Sequence, residues 1–447
     1  MIYPNRLPIR VLLLLLAATP WVSFAQSDDL MVVDAYRWDE VAPEDPNAAG
    51  RFGTAVETDG QWAMVAAPSA DGRLGRITLF RAADNGRPWQ VVKALTIPDG
   101  LSSCRAGTRM SLVGDWLIAV SIGSCLPLVY QRDEGGIDNW GLQSQLPAPL
   151  DVADLRRGFA ASDVSISGDL VAVGRSETDF IGSPSINAMG EVAIYQRSAG
   201  SANTWVEIAL ITPPEGDREG GRFGTRVALE GGELLVGAAS FSDDTFTGVG
   251  RAWLFERNLG GVDNWGLRRR FLNPRPSASA GFGDDVEIEN SVAAIAGPAG
   301  DLTPAVSGDR AVYMYQQDAD GSNAWGLTDE VLPQPTDGGF GGNIQMDGNL
   351  MLVGDGPGVF GGAGGWLYQR NGSVWPLRQA FLAADTNEPQ PELFRNLGLS
   401  IGLAIQGTRM VAIVADNVFE LTNAGSRIGK AFFFEYDDGL FSDSFED

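Results

Sequence analysis

The chain contains no histidine. That absence removes Ser-His-Asp and Cys-His nucleophilic systems, together with every zinc site built on imidazole. Cysteine is almost absent too, with Cys104 and Cys125 alone, and lysine is confined to Lys93 and Lys430. Thiolate and imine chemistry therefore have few carriers, and what remains is the chemistry of carboxylates, tyrosine and arginine. Long apolar runs are missing as well. Past the N-terminal segment no stretch approaches the ~20 residues needed to cross a bilayer as a helix, so no membrane span is expected. Positive charge is short: 32 Lys and Arg face 57 Asp and Glu, for a net charge of −25 at pH 7. A chain so acidic repels phosphate backbones and anionic lipid, which excludes nucleic acid and membrane surfaces as expected partners.

The N-terminus carries an export pattern. Arg6 and Arg10 precede an unbroken apolar run over residues 11–18, and Ser23-Phe24-Ala25 sets small residues three back and one back from a cut before Gln26. Residues 1–25 are expected to be a signal peptide cleaved after Ala25, which makes the mature chain secreted, cell-surface or periplasmic. No cysteine follows the cut to take a lipid anchor. An exported location suits a disulfide. With Gly114-Asp115 as a two-residue hairpin turn, the antiparallel register sets residue 104 opposite residue 125, within bonding reach. Cys104 and Cys125 are therefore expected to pair; the alternative is two unpaired buried thiols.

What the sequence has in abundance is repetition. Arg51-Phe52-Gly53-Thr54 returns as Arg222-Phe223-Gly224-Thr225, with Phe282-Gly283 and Phe340-Gly341 in the same frame. Four residues beyond each phenylalanine stands an apolar anchor: Val56, Met110, Val164, Val227, Val286, Ile344 and Leu403. Four further comes a turn residue: Gly60, Gly114, Gly168, Gly231, Asn290, Gly348 and Gly407, all types that accept positive φ. Each repeat then reads as four short strands. The anchor strand alternates; the second is nearly all apolar, as in Leu170-Val171-Ala172-Val173, which implies burial on both faces. The third ends on an aromatic residue, and a tryptophan (Trp89, Trp140, Trp205, Trp265, Trp325, Trp375) opens the fourth. Four antiparallel strands in each of seven repeats describe an all-β, seven-bladed β-propeller. The last repeat lacks its tryptophan strand, and residues 31–41 form an orphan strand ahead of the first, so the N-terminus is expected to complete the last blade and close the ring. The propeller is assigned to residues 26–437, leaving an acidic, aromatic C-terminal tail at 438–447. The alternative architecture is an open array of seven hairpin pairs.

The order Phe-Gly, apolar anchor, glycine turn, apolar strand, then small residues and proline (Ala66-Ala67-Pro68, Ala296-Gly297-Pro298) resembles the FG-GAP repeat of integrin α-subunit heads and of many secreted bacterial proteins. The second repeat has Ala106-Gly107 in the Phe-Gly place and the seventh has Leu399 there. The resemblance implies an extracellular interaction module. It also implies calcium loops between first and second strands, but the turns here, such as Thr58-Asp59-Gly60-Gln61-Trp62, offer one carboxylate where calcium wants 6–8 oxygens. No metal or other cofactor is therefore expected. The acidic tail is similar to short C-terminal tags of some secreted bacterial proteins.

No catalytic residue stands out, and the chain is expected not to be an enzyme. The repeated tryptophans are read as packing elements before sugar-stacking platforms, and the rim arginines Arg81, Arg132, Arg197, Arg257 and Arg370 as partners of nearby acids or carbonyls. The leading expectation is an exported binding or adhesion module for an extracellular protein or glycan. Against it stand a carbohydrate-active enzyme using paired carboxylates in the propeller hub, and a purely structural envelope protein.

Overall fold

A computed structural model describes residues 37–41, 50–83, 88–95, 97–98, 101, 103–122, 125–148, 160–177, 188–198, 200, 204–217, 221–299, 310–332, 339–355, 364–382, 397–421 and 427–437. The signal peptide at 1–25, residues 31–36 of the closing strand and the tail at 438–447 lie outside the described residues.

Seven four-stranded antiparallel sheets make the molecule, each running from an inner strand outward through second, third and outer strands. The inner strands are Ala55–Thr58, Arg109–Val113, Asp163–Ser167, Arg226–Glu230, Val286–Glu289, Phe340–Asp347 and Ser400–Gln406. Each neighbours the next in this order and the seventh returns to the first, closing the ring. Blade 7 takes its outer strand from the other end of the chain. Arg37–Val41 pairs with the third strand Arg427–Asp437 from Arg37↔Glu435 to Val41↔Ala431. The alternative of an open array is thereby excluded.

The seven turn residues all have positive φ, between 49° and 87°, with Asn290 the only one that is not glycine. Second strands such as Trp62–Ala67 are buried at every position. Their two faces feed two different cores, because each hydrophobic cluster is shared by adjacent blades. Trp62 of blade 1 packs with Leu117 and Trp140 of blade 2, and Val65 on the opposite face packs with Ile413 and Phe433 of blade 7. The six recurring tryptophans are all buried in these layers, so their role is packing. Trp62 and Trp140 meet edge to face at 6.5 Å, and Trp116 and Trp205 at 5.8 Å.

In blade 2 the register runs from Arg109↔Val120 to Val113↔Trp116. Just beyond these strand ends Cys104 and Cys125 form a disulfide, their Cα atoms 5.2 Å apart.

Two features depart from the repeat as read in the sequence. In blades 1 to 6 the ladder between third and fourth strands slips by one residue at the aromatic position (Phe80, Tyr130, Tyr195, Phe255, Tyr315, Tyr368). This bulge increases the local twist, and blade 7, whose outer strand comes from the N-terminus, lacks it. The seventh repeat is also framed differently. Its Phe-Gly place is held by Leu397-Gly398, not by Leu399: Leu397 is buried and Gly398 has φ 89°, matching Gly53, Gly224 and Gly283. The anchor is therefore Ile401 in place of Leu403, and the inner hairpin is two residues longer than the rest. A Cβ on Gly398 would lie 1.9 Å from the Gly364 carbonyl oxygen of blade 6. Gly398→Ala is expected to cost at least the ~1–3 kcal/mol of a non-glycine residue at positive φ, read as a lower urea midpoint. A variant at Gly407, where φ is positive but nothing lies within 4 Å, should cost less.

Candidate functional site

Strand alternation decides what lines the hub. With the anchor facing a neighbouring blade, the residues one before, one after and three after it face the axis. They form three layers around a cavity of about 310 Å³.

The first layer reads Ala55, Arg109, Asp163, Arg226, Asp285, Asn343 and Ser400 around the ring. Arg226 Nε donates to Asp285 Oδ1 at 2.9 Å, and Arg109 Nε lies 3.9 Å from Asp163 Oδ1. The second layer holds Glu57, Ser111, Ser165, Glu287 and Gln345; the third includes Ser167, Glu230 and Glu289. Six carboxyl side chains and only two guanidiniums line this cavity.

Most of these groups answer a structural need. Each inner strand is the edge of its sheet, so alternate N–H groups point away from their own blade. The preceding blade supplies their acceptors. From the first layer, Asp163 Oδ2 accepts from Val227 N (3.0 Å), Asp285 Oδ2 from Ile344 N (2.6 Å) and Ser400 Oγ from Val56 N (3.0 Å). From the second, Ser111 accepts from Ile166 N (3.1 Å), Ser165 from Leu229 N (3.0 Å) and Gln345 from Leu403 N (3.0 Å), while Glu57 accepts from Leu112 N. From the third, Ser167, Glu230 and Glu289 accept from Gly231, Asn290 and Gly348 N, each at 2.9 Å, and Asp347 from Ile405 N at 2.6 Å. Bonds into blade 7 fall into this scheme only with Ile401 as its anchor. One position breaks the scheme. Glu287, which the pattern would set on Met346 N, makes no hydrogen bond among the described residues and is surrounded by Asp285, Glu289, Glu57 and Asp163.

Enclosure in the ring shapes the protonation of this lining. Burial pushes Glu57 and Glu287 well above the usual carboxylate range, and in Glu287 the neighbouring acids add to it. Burial raises Asp285 to about 7 against the pull of Arg226, and raises Glu289 to about 7 against the N–H of Gly348. Asp163 and Asp347 move up for the same reason. Repulsion from Arg226, with burial second, brings Arg109 down to about 10. The raised carboxyls fix a sign. The folded chain holds protons that the unfolded chain has released, so stability is full below the unfolded pKa values and is lost as pH rises through the folded ones. Thermal melts are expected to fall between about pH 5 and pH 8, with Glu289→Gln and Glu287→Gln each flattening the slope. A midpoint that rose over this range would contradict the assignment.

The rim arginines end on local partners. Arg81, Arg132 and Arg257 pair with Asp138 (3.1 Å), Asp115 (2.7 Å) and Asp263 (2.7 Å); Arg370 donates to the Gly372 carbonyl at 3.0 Å, and Arg197 lies over the Trp116 ring at 4.7 Å. Asp243 accepts from Thr245 N and Phe246 N of its own loop, as a solvated acidic turn does. Among the described residues no group of three acids or cysteines is placed to hold a metal ion. The hub carboxyls themselves were not singled out in the sequence. The signal was present, since they flank the anchors at fixed offsets, but the offsets acquire meaning only once the anchor strand is known to be the inner one.

No family model matches the chain, and no curated protein matches it. Among solved structures it is similar to a Bacteroides fragilis protein provisionally named a 6-phosphogluconolactonase, with TM-score 0.47, 9% identity, and 73% of this chain and 82% of that one covered. A Bacteroides uniformis protein of the same provisional name gives TM-score 0.44 and 10% identity over 74% and 85%. Likeness at this level carries no argument about activity.

Proposed function

We propose that the chain is an exported propeller of the FG-GAP kind that serves as an extracellular or cell-surface binding module for a protein or glycan, engaged at the hub and the loops around it. The observation behind this reading is the state of the hub. Its carboxyls are either bonded to the next blade's backbone or, for Glu287, pushed by burial toward the neutral form. A general base or nucleophile must be ionised and free to take a proton. The two hub carboxyls brought to about 7, Asp285 and Glu289, already accept from Arg226 and Ile344 N and from Gly348 N, and the chain has no histidine to take the role. A rigid ring with an open, polar hub favours recognition over turnover. Probing a glycan array and immobilised extracellular proteins with the purified chain is expected to return a saturable ligand; silence from both would overturn the reading.

One observation favours the alternative of a carbohydrate-active enzyme. Glu57 and Glu287 share the lumen and sense each other's charge. A glycosidase needs two such acids, about 5–10 Å apart, in different protonation states. Burial moves both in the same direction here, which does not set their protonation states apart. Hydrolysis of chromogenic glycosides that disappeared in both Glu57→Gln and Glu287→Gln would establish the enzyme.

A further inference from the structure

We propose that the hub lumen is a binding site for an organic ammonium group, seated between Glu287 and Glu57. The inference rests on the reading of the hub as a binding site and names the chemistry of what enters it.

Three observations carry it. The first is the broken cap. Glu57, Ser111, Ser165 and Gln345 in the second layer each accept a neighbouring backbone N–H, while Glu287 lines the cavity with no hydrogen-bond partner among the described residues. Its oxygens face the lumen with their hydrogen-bonding capacity unused among the described residues. The second is charge balance. Arg226 is held by Asp285, and Arg109 lies beside Asp163 and donates to the Thr108 carbonyl at 3.4 Å, so both guanidiniums face first-layer groups. Among the described residues Glu57, Glu287 and Glu289 have no cation beside them. The groups facing Glu287 from the other blades are Glu57, Arg109, Asp163, Arg226 and Glu230, with Asp285 and Glu289 on its own strand and only uncharged Gln345 and Ser400 from blades 6 and 7. The third is spacing. These acids are not gathered closely enough to ligate a metal ion, yet they surround a cavity of about 310 Å³. An ammonium group suits that arrangement: it carries one charge and three donors, and it reaches dispersed acceptors through water. The overall charge of −25 draws such cations toward the ring.

The ammonium could belong to a free amine or to a lysine side chain of a partner, and the two are separable by experiment. Isothermal calorimetry at constant ionic strength is run with n-butylammonium chloride and with a capped Gly-Lys-Gly peptide, using sodium chloride as blank. A bound cation favours the ionised form of the carboxyls beside it, so saturable binding of one or both probes is expected at pH 8. At pH 5 protons occupy the carboxyls and binding should vanish. Glu287→Gln should weaken it at least tenfold, and Glu57→Gln likewise; since burial already favours the neutral form, both variants are expected to fold, which a melting curve checks. Butylammonium binding alone points to a free amine, and peptide binding alone to a protein partner. Absence of saturable binding by either probe at pH 8, or wild-type affinity in both folded variants, would overturn the proposal. Such a failure leaves the binding-module reading standing, because that is decided by the glycan and protein screens.

Discussion

Asp217→Ala is expected to lower the free energy of unfolding by about 3–5 kcal/mol, the range for removing one partner of a buried ion pair. Asp217 follows the outer strand of blade 3 (Trp205–Ile211) and reaches into blade 4. There it accepts from Arg251, from the Trp253 indole at 2.9 Å and from Arg270 Nε at 2.7 Å. The carboxylate is 7% exposed, and Arg251 lies over the Phe241 ring at 4.1 Å. Truncation would strand two guanidiniums and an indole N–H beside a space too polar to collapse, which is why the loss exceeds that of an ordinary contact. Asp217→Asn keeps an acceptor for Trp253 and drops only the charge, so it should fall between the wild type and the alanine variant. Asp263→Ala supplies the control: its pair with Arg257 at 2.7 Å is open to water on the carboxylate side, and such pairs contribute about 0–1 kcal/mol. Urea unfolding with unchanged slope reads all three. If Asp217→Ala costs no more than Asp263→Ala, the clamp between blades 3 and 4 is not a stabilising element.

That clamp marks where reading the chain runs out. Anchors, turns, apolar second strands and the closing N-terminal strand were legible because each is a local pattern repeated in phase. The cysteine pair was legible through one hairpin register, which holds from Arg109↔Val120 to Val113↔Trp116. The hub was only half legible. Its residues flank the anchors, yet their role lies in hydrogen bonds to the next blade, 55 to 64 residues on, as from Ser111 to Ile166 and from Asp163 to Val227. A repeat frame does not announce such pairings. The seventh blade shows how that misleads. A frame counted from the turn at Gly407 lands on Leu403, whereas the bonds across the hub, Ser400 to Val56 and Gln345 to Leu403, set the anchor at Ile401. A two-residue extension of a hairpin shifts the count without disturbing alternation, so hydrophobic pattern alone cannot detect it. Asp217 carried no signal at all: an acid in a loop, its partners fixed by tertiary packing.

Starting the chain after Val41 is expected to have the other large effect: loss of the soluble, cooperatively melting monomer. Without Arg37–Val41 the third strand of blade 7 loses its ladder from Glu435 to Ala431 and becomes the edge of a three-stranded sheet. That strand is mostly apolar, with Ala431, Phe432, Phe433 and Phe434 all buried. Phe433 meets Trp89 of blade 1 at 4.8 Å, and Phe434 stacks on Phe381 of blade 6 at 4.5 Å. An unpaired apolar edge of this kind recruits other chains. The seam to blade 1 depends on the same strand: Glu435 accepts from Trp89 Nε1 at 2.5 Å and from Arg409 at 2.7 Å, while Arg409 also donates to the Gly60 carbonyl at 2.9 Å. Clasp and seam are separable. Glu435→Gln leaves the outer strand in place and removes one charge from the seam, so it should lower the melting temperature while the protein stays monomeric on size exclusion. The truncated chain should elute as aggregate, and a synthetic peptide of residues 31–41 added during refolding should recover monomer by strand addition. A truncated chain that eluted as a monomer and melted as the wild type does would mean that six complete blades and three strands close the ring unaided. The placement of Arg37–Val41 beside blade 7 would then contribute nothing to holding it shut.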